Sequence, residues 1–232
     1  MFVRRSLLVL ALALTVVRCA DQPTAVNAVQ VPDLTPQFLQ WAGDVAPEFS
    51  ATSSQRHRGR GRAEGMSPPI SLDSYQMSFW AVRGESRSIQ INYQSSIDDS
   101  THPFLRLTTF DPQFVPGVGT LAQGDSVLIT VTVDTTKIGV TLEPSGLQFG
   151  KPSELQLWYG GAGGDLNGDG VADSTDAQIE QQLLGLWYRE GEGDQWAHMS
   201  ASQDVADKSF TYALPHFCQY AIAAVRELAV SW

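Results

Sequence analysis

The segment Asp165–Asp176 alternates carboxylate and amide side chains with glycine. Numbered from Asp165, side-chain oxygens fall at positions 1, 3, 5, 9 and 12, with glycine at position 6. A hard divalent cation such as Ca²⁺ binds about six to eight oxygens. A loop with oxygens at these positions supplies them, and the residue at position 7 contributes its backbone carbonyl. The sequence therefore predicts a calcium site. The predicted ligands are Asp165, Asn167, Asp169, Val171, Asp173 and Asp176.

An acidic surface turn is the alternative interpretation, because Asp, Asn and Gly all favour turns. That interpretation explains the composition of the segment but not its register. Gly170 stands where the loop makes its sharpest bend, which a residue with a Cβ would strain. Asp176 is shorter than the bidentate glutamate usual at position 12, so we expect an affinity only on the order of 0.1–1 mM.

The segment Asp165–Leu184 resembles one dockerin repeat, in which such a loop is followed by a single helix. Apolar residues at helical spacing predict that helix over Ser174–Leu186. Dockerins carry two repeats and this chain carries one. The resemblance therefore implies the EF-hand-like metal site but not the cohesin-binding role.

Three further segments resemble the sandwich domain shared by ankyrins, netrin receptors of the Unc type, tight-junction scaffolds and many bacterial surface proteins. They are Ile138–Pro152, Leu186–Glu190 and His216–Ala223, and the likeness covers about residues 125 to 224. This resemblance implies an interaction module without enzymatic activity.

In some relatives of that domain the closing His-Phe-Ser segment cleaves its own chain. Here the same positions are His216, Phe217 and Cys218, so one alternative function is self-cleavage between Phe217 and Cys218. Cys218 would be the nucleophile and His216 would assist it. The other interpretation makes Cys218 a small buried apolar residue, which is a frequent role of free cysteine.

The other motifs of enzymatic chemistry that we sought, such as Gly-x-Ser-x-Gly, His-Glu-x-x-His, Cys-x-x-Cys and the phosphate-binding loop, do not occur in the sequence. Three of the tryptophans, Trp158, Trp187 and Trp196, suggest a carbohydrate-binding platform as a further alternative. Such residues more often close the core of a sandwich. We therefore predict a non-enzymatic module whose partner, a protein or a glycan, the sequence does not identify.

The first 19 residues predict export. Arg4 and Arg5 precede the apolar run Leu7–Val17, which is too short to span a bilayer, and Cys19 follows it closely. The position of Cys19 favours a lipidated envelope protein over simple secretion, although Arg18 departs from the small residue expected there. Any contact with the membrane is then expected only through this lipid anchor. Once Cys19 is removed or lipidated, a monomer has no internal disulfide, because the chain holds 2 cysteines.

The formal net charge of −10 is unevenly distributed. Residues 1–70 hold 7 Lys and Arg against 5 Asp and Glu, and the remaining residues hold 8 against 20. The acidic part disfavours nucleic acid as a partner. Residues 20–70 show no sustained period and are rich in Gln, Pro, Ser and Ala, which predicts a flexible tether.

From Ser71 onward apolar residues recur with period two, as in Val127, Ile129, Val131 and Val133. Turn residues separate several such runs, which is typical of an antiparallel β-sandwich. We predict an all-β domain over 71–232, with a calcium loop and helix inserted at 160–185 between two strands.

Overall fold

The strands of this protein form from short runs of alternating or continuous apolar residues. The computed structural model describes residues 35–43, 46–55, 68–72 and 74–225. The strands are β1 Pro36–Phe38, β2 Phe49–Gln55, β3 Ile70–Ser71, β4 Gln76–Val82, β5 Ser86–Gln94, β6 Thr101–Phe110, β7 Pro112–Val115, β8 Gly119–Thr120, β9 Ser126–Val133, β10 Gly139–Glu143, β11 Gln148–Trp158, β12 Leu184–Arg189, β13 Ala197–Met199, β14 Ser202–Asp204, β15 Ser209–His216 and β16 Gln219–Val225. The helical elements are a 3₁₀ turn Gly160–Ala162, α1 Ser174–Gln178 and a π-helical turn Ile179–Leu183.

Within the described residues these strands form two antiparallel sheets. The β16 sheet has the order β13-β12-β16-β10-β9-β4, with β1 also paired to β16. The β11 sheet has the order β14-β15-β11-β6-β5-β2-β3, with β7 paired to β11 and to β8. The protein is therefore an all-β antiparallel sandwich, as its alternating sequence predicts.

Residues of both sheets contribute to one buried apolar cluster. In β9 every second side chain is buried, from Val127 to Val133, and the intervening ones are exposed or half-buried. Ile89 and Ile91 of β5 alternate in the same way and belong to the same cluster. Period-two burial on two sheets is the pattern expected when each sheet turns one face to the other.

The N-terminal part of the domain corrects the predicted tether. The range 20–70 was expected to be flexible, but β1, β2 and the start of β3 lie inside it. The indole of Trp41 packs against Phe49, Tyr93 and Phe104 at ring distances of 5.0–5.5 Å and donates a 2.8 Å hydrogen bond to the Asp134 carbonyl. Long-range pairing and aromatic packing therefore order a segment that has no local periodicity.

The inserted segment lies between β11 and β12, as predicted, but its helix is shorter than expected. The helix predicted over Ser174–Leu186 ends as a π-helical turn at Leu183. Leu184 and Leu186 instead belong to β12, where they pair with Ala224 and Ile222 of β16. Cross-strand hydrogen bonding to β16 thus overrides the helical spacing of these leucines.

All the described residues belong to one compact unit of the chain. The predicted export signal 1–19, with the lipidation site Cys19, lies outside the described residues. Among the described residues, no helix has the length and apolar character needed to cross a bilayer.

Candidate metal centre

The acidic loop is attached to the sandwich at both of its ends. Leu166, at position 2, is buried in the apolar cluster, and Asp176, at position 12, is 3% exposed. The Gln37 amide, on β1, donates a 3.1 Å hydrogen bond to the Asn167 carbonyl. The core therefore fixes where the loop begins and ends, while the residues between them remain at the surface.

The oxygens at positions 1, 3 and 5 turn inward onto the loop's own backbone. Asp165 accepts hydrogen bonds from the N–H groups of Gly168 and Gly170, at 2.7 and 2.8 Å. Asn167 accepts one from Asp169, and Asp169 accepts one from Val171, at 2.8 and 2.9 Å. These bonds wind the chain tightly around the side-chain oxygens.

Glycine makes this winding possible at two positions. Gly168 and Gly170 have φ angles of 77° and 89°, in the left-handed region that other residues rarely adopt. The side chain of Val171, at position 7, is 59% exposed. This exposed side chain has no packing role, so the position is free to contribute its backbone carbonyl.

Asp173 and Asp176 form a reciprocal cap at the start of α1. The Asp173 carboxylate accepts a 2.7 Å hydrogen bond from the Thr175 N–H, and the Asp176 carboxylate accepts a 2.8 Å bond from the Asp173 N–H. The other Asp176 oxygen accepts from the N–H groups of Leu166 and Asn167, at 2.7 and 3.1 Å. Asp176 therefore closes the loop by joining its first residues to its last.

The same hydrogen bonds explain the acidity of Asp176. The N–H of Asp173 makes the largest contribution to lowering the pKa of Asp176, followed by those of Leu166 and Asn167. Together they outweigh burial, which acts in the opposite direction. The carboxylate form that a cation needs is thus favoured by the fold itself.

A second group of potential ligands lies outside the acidic loop. Among the described residues, Glu190, His216 and Cys218 form the one group of three His, Cys, Asp or Glu side chains whose ligand atoms all lie within 4.8 Å of one another. Sequence reasoning singled out His216 and Cys218 but missed Glu190, which is distant in sequence. Only the pairing of β12 with β16 brings Glu190 close to Cys218. The sequence carries no signal for this proximity unless the strand register is known.

The three residues lie where the chain passes from one sheet to the other. His216 ends β15 in the β11 sheet, and Cys218 immediately precedes β16 in the other sheet. Phe217 between them is fully buried. Its carbonyl accepts hydrogen bonds from the Gly146 N–H at 2.9 Å and from the Ser145 hydroxyl at 3.5 Å.

Cys218 is 1% exposed, and its thiol is far from ionised at neutral pH. Burial raises the pKa of Cys218 to about 12; a hydrogen bond with Tyr220 opposes this effect and the charge of Glu190 adds to it. Because the thiolate is the nucleophilic form, this thiol is a weak nucleophile.

The tryptophans that suggested a sugar platform are placed unfavourably for that role. Trp158 and Trp187 are buried, and the Trp196 ring packs on Phe38 at 4.9 Å and under the Arg189 guanidinium at 5.0 Å. Among the described residues, Trp80 on β4 is the most exposed tryptophan, at 56%.

No protein-family model matches the chain, and neither a curated protein nor a solved structure does.

Proposed function

We propose that this protein is an exported, non-enzymatic interaction module that binds one Ca²⁺ through the loop Asp165–Asp176. The observation that carries the proposal is the register of the loop, in which five side-chain oxygens, one glycine and one exposed apolar residue occupy the positions a calcium loop needs. The burial of Leu166 and Asp176 supports it further, because a loop fixed at both ends loses less entropy on binding.

Calcium would be bound by Asp165, Asn167, Asp169 and Asp173 through side-chain oxygens, by Val171 through its carbonyl, and by Asp176. The cation would neutralise the carboxylates of one short loop and so join the 3₁₀ turn after β11 to α1. The proposed role of the ion is structural: it stabilises the inserted loop and its attachment to the sandwich.

The partner surface that we favour is the solvent face of β4 and β9. Trp80 and Leu128 are paired across these strands and are 56% and 44% exposed. Ser78 and Thr130, the neighbouring pair on that face, share a 2.9 Å hydrogen bond. Paired apolar side chains rimmed by polar ones are the composition expected of a small contact surface for a protein or a glycan.

The decisive experiment is thermal unfolding of the protein in millimolar Ca²⁺ and in chelator, together with calorimetric titration. We expect a higher melting temperature with calcium, one ion per chain, and a reduction of calcium affinity and of the calcium-dependent stabilisation in Asp169→Asn, because a neutral amide oxygen replaces one of the loop's four carboxylates. Asp194→Asn is the matched control, since it removes an exposed carboxylate from a turn outside the loop. Melting curves that coincide with and without calcium would leave the loop as an acidic turn.

Export and lipidation are part of the same proposal and rest on Arg4, Arg5, the apolar run Leu7–Val17 and Cys19. Mass spectrometry of the protein from a bacterial envelope fraction tests them. A mature N-terminus at Cys19 with the added mass of acyl chains is the expected result. An unprocessed Met1, or cleavage at another residue, would contradict lipidation.

Self-cleavage is the second candidate function, and one observation favours it. The Phe217 carbonyl, which Cys218 would attack, already accepts hydrogen bonds from Gly146 and Ser145, and such donors stabilise the oxyanion that the attack forms. In that reaction the Cys218 S–H bond breaks, Sγ bonds to the Phe217 carbonyl carbon, and the proton passes to the Cys218 nitrogen as the peptide C–N bond breaks. Water then hydrolyses the thioester to a Phe217 carboxylate and the free Cys218 thiol.

The burial of Cys218 acts against this reaction, and the intact mass of the purified protein decides it. Cleavage releases the 15-residue peptide Cys218–Trp232, and Cys218→Ala must then abolish the release. A single intact species after prolonged incubation would favour the interaction module alone.

A further inference from the structure

The crossover from β15 to β16 gathers three side chains of different chemistry at one point. β12 pairs with β16 in a register that sets Arg189 opposite Gln219, and this places Glu190 beside Cys218. His216 and Cys218 are two residues apart at the meeting of two strands, and alternate side chains of an extended segment point to the same side. The fold therefore brings a carboxylate, an imidazole and a thiol together.

The distances within this group suit a small cation. The Glu190 Oε1 lies 3.5 Å from the His216 Nε2, and all three ligand atoms lie within 4.8 Å of one another. A tetrahedral zinc ion with bonds of about 2.0–2.3 Å separates its ligands by roughly 3.3–3.7 Å. The group needs only small side-chain movements to reach that geometry.

The imidazole carries an unexplained feature. The His216 Nδ1 is buried, and among the described residues it has no hydrogen-bond partner. A buried polar atom without a partner is costly, so it commonly indicates a missing ion, water or ligand. The Glu190 carboxylate approaches the other ring nitrogen, Nε2, which is therefore the ligand atom for a metal between the three side chains. A metal-bound histidine usually hydrogen-bonds an outer partner through its second nitrogen, and Nδ1 is free to take a water in that role.

The backbone around the group is held in place. The Tyr220 hydroxyl donates a 2.9 Å hydrogen bond to the His216 carbonyl, and the Leu142 N–H donates a 3.0 Å bond to the Cys218 carbonyl. Two of the three ligands thus start from positions that hydrogen bonds fix, which reduces the entropy lost when a cation binds.

We propose that Glu190, His216 and Cys218 bind a divalent cation of the zinc class. The donor set selects this class over calcium, because thiolate and imidazole suit zinc and related transition metals whereas Ca²⁺ takes oxygen ligands. On binding, the Cys218 S–H bond breaks, its proton passes to solvent, and Sγ bonds to the metal.

Three protein ligands leave one position of a tetrahedron open. His216 also lines a surface cavity of about 390 Å³, together with residues that include Tyr188, His198 and Tyr212. Water or a small ligand can reach the imidazole from this cavity. The bound metal would also join the end of β15 to β12 and β16, and so link the two sheets at their crossover.

The test uses Co²⁺ as the probe, in the full-length chain with Cys19→Ser so that Cys218 is the sole thiol, and with excess Ca²⁺ to occupy the acidic loop. We expect one cobalt per chain, a thiolate-to-cobalt charge-transfer band in the near ultraviolet, and displacement of the band by Zn²⁺. Cys218→Ala must lose the band, and circular dichroism checks that this variant folds.

A matched pair of variants tests the carboxylate. Glu190→Gln should weaken cobalt binding at least about tenfold, as loss of even an outer partner of a metal ligand does. Glu192→Gln, which changes an exposed carboxylate two residues away, should bind as the parent does. The absence of cobalt binding, or binding without the thiolate band, would overturn the proposal. So would a band that survives in Cys218→Ala, or equal effects of the two glutamate variants on cobalt binding.

Discussion

The backbone N–H of Leu166 donates a 2.7 Å hydrogen bond to the Asp176 carboxylate, ten residues later in the chain. This bond joins the second position of the acidic loop to the twelfth, and the Leu166 side chain is buried in the core beside it. The loop is consequently an extension of the sandwich, and the cation binding that we propose for it should depend on packing as well as on carboxylates.

Leu166→Ala tests that dependence. Removing a buried leucine should lower the free energy of unfolding by about 2–4 kcal/mol and weaken calcium binding, because the loop loses its attachment. Urea unfolding and calcium titration measure the two effects. Val171→Ala in the same loop is the control: its exposed side chain should change the unfolding free energy by less than about 0.5 kcal/mol. Equal calcium affinity in both variants would contradict the anchoring role of Leu166.

The turn that follows β9 makes stability depend on pH. Burial alone would raise the pKa of Asp134, but hydrogen bonds from Lys137 and Thr136 outweigh it and lower that pKa below its ordinary value. A lowered pKa in the folded protein means that the stabilisation is present above the unfolded value of about 3.9 and is lost as pH falls through the folded value.

Asp134→Asn should therefore cost about 1 kcal/mol of unfolding free energy at neutral pH, and less at a pH near 3. Urea unfolding at the two pH values measures this difference. Asp194→Asn is again the control for removing one surface charge. If the loss of unfolding free energy is the same at both pH values, the effect of Asp134→Asn does not come from the charge of Asp134.

The burial of Cys218 predicts a protected thiol. Because burial raises its pKa to about 12, the thiolate fraction near pH 8 is far smaller than in the unfolded chain. Iodoacetamide should alkylate the native protein at least about 100-fold more slowly than the protein in guanidinium, in the Cys19→Ser chain. Similar rates would show that the crossover opens readily, and would strengthen self-cleavage as the function.

The strands predicted from period two are found where the pattern is long, as in β9, because alternation over several residues already specifies a buried face. β1 has only 3 residues, and its pairing with β16 involves residues almost two hundred positions later. Local sequence carries no trace of such pairing. Trp41 was likewise assigned to the tether, although it is buried against three other aromatic residues.

The two candidate metal centres differ in the same way. The proposed ligands of the acidic loop are contiguous, so their register could be read directly from Asp165–Asp176. Glu190 reaches Cys218 only through the β12–β16 register, which depends on tertiary structure. A candidate site of contiguous residues can therefore be proposed from sequence alone, whereas one assembled across strands requires the fold.

Burial decides which tryptophan can test glycan binding. Trp187 is buried and its indole N–H donates a 3.3 Å hydrogen bond to the Ala223 carbonyl, so Trp187→Ala should cost about 3–5 kcal/mol and impair any activity by unfolding. Trp80→Ala should cost less, about 1 kcal/mol, since more than half of the residue is already in solvent. A glycan array with Trp80→Ala, and with Leu128→Ala as the control on the paired strand, then separates the partner classes. Glycan binding that is lost in Trp80→Ala and kept in Leu128→Ala would indicate that a sugar stacks on the indole. If both variants keep their array signals, any glycan binds elsewhere on the protein.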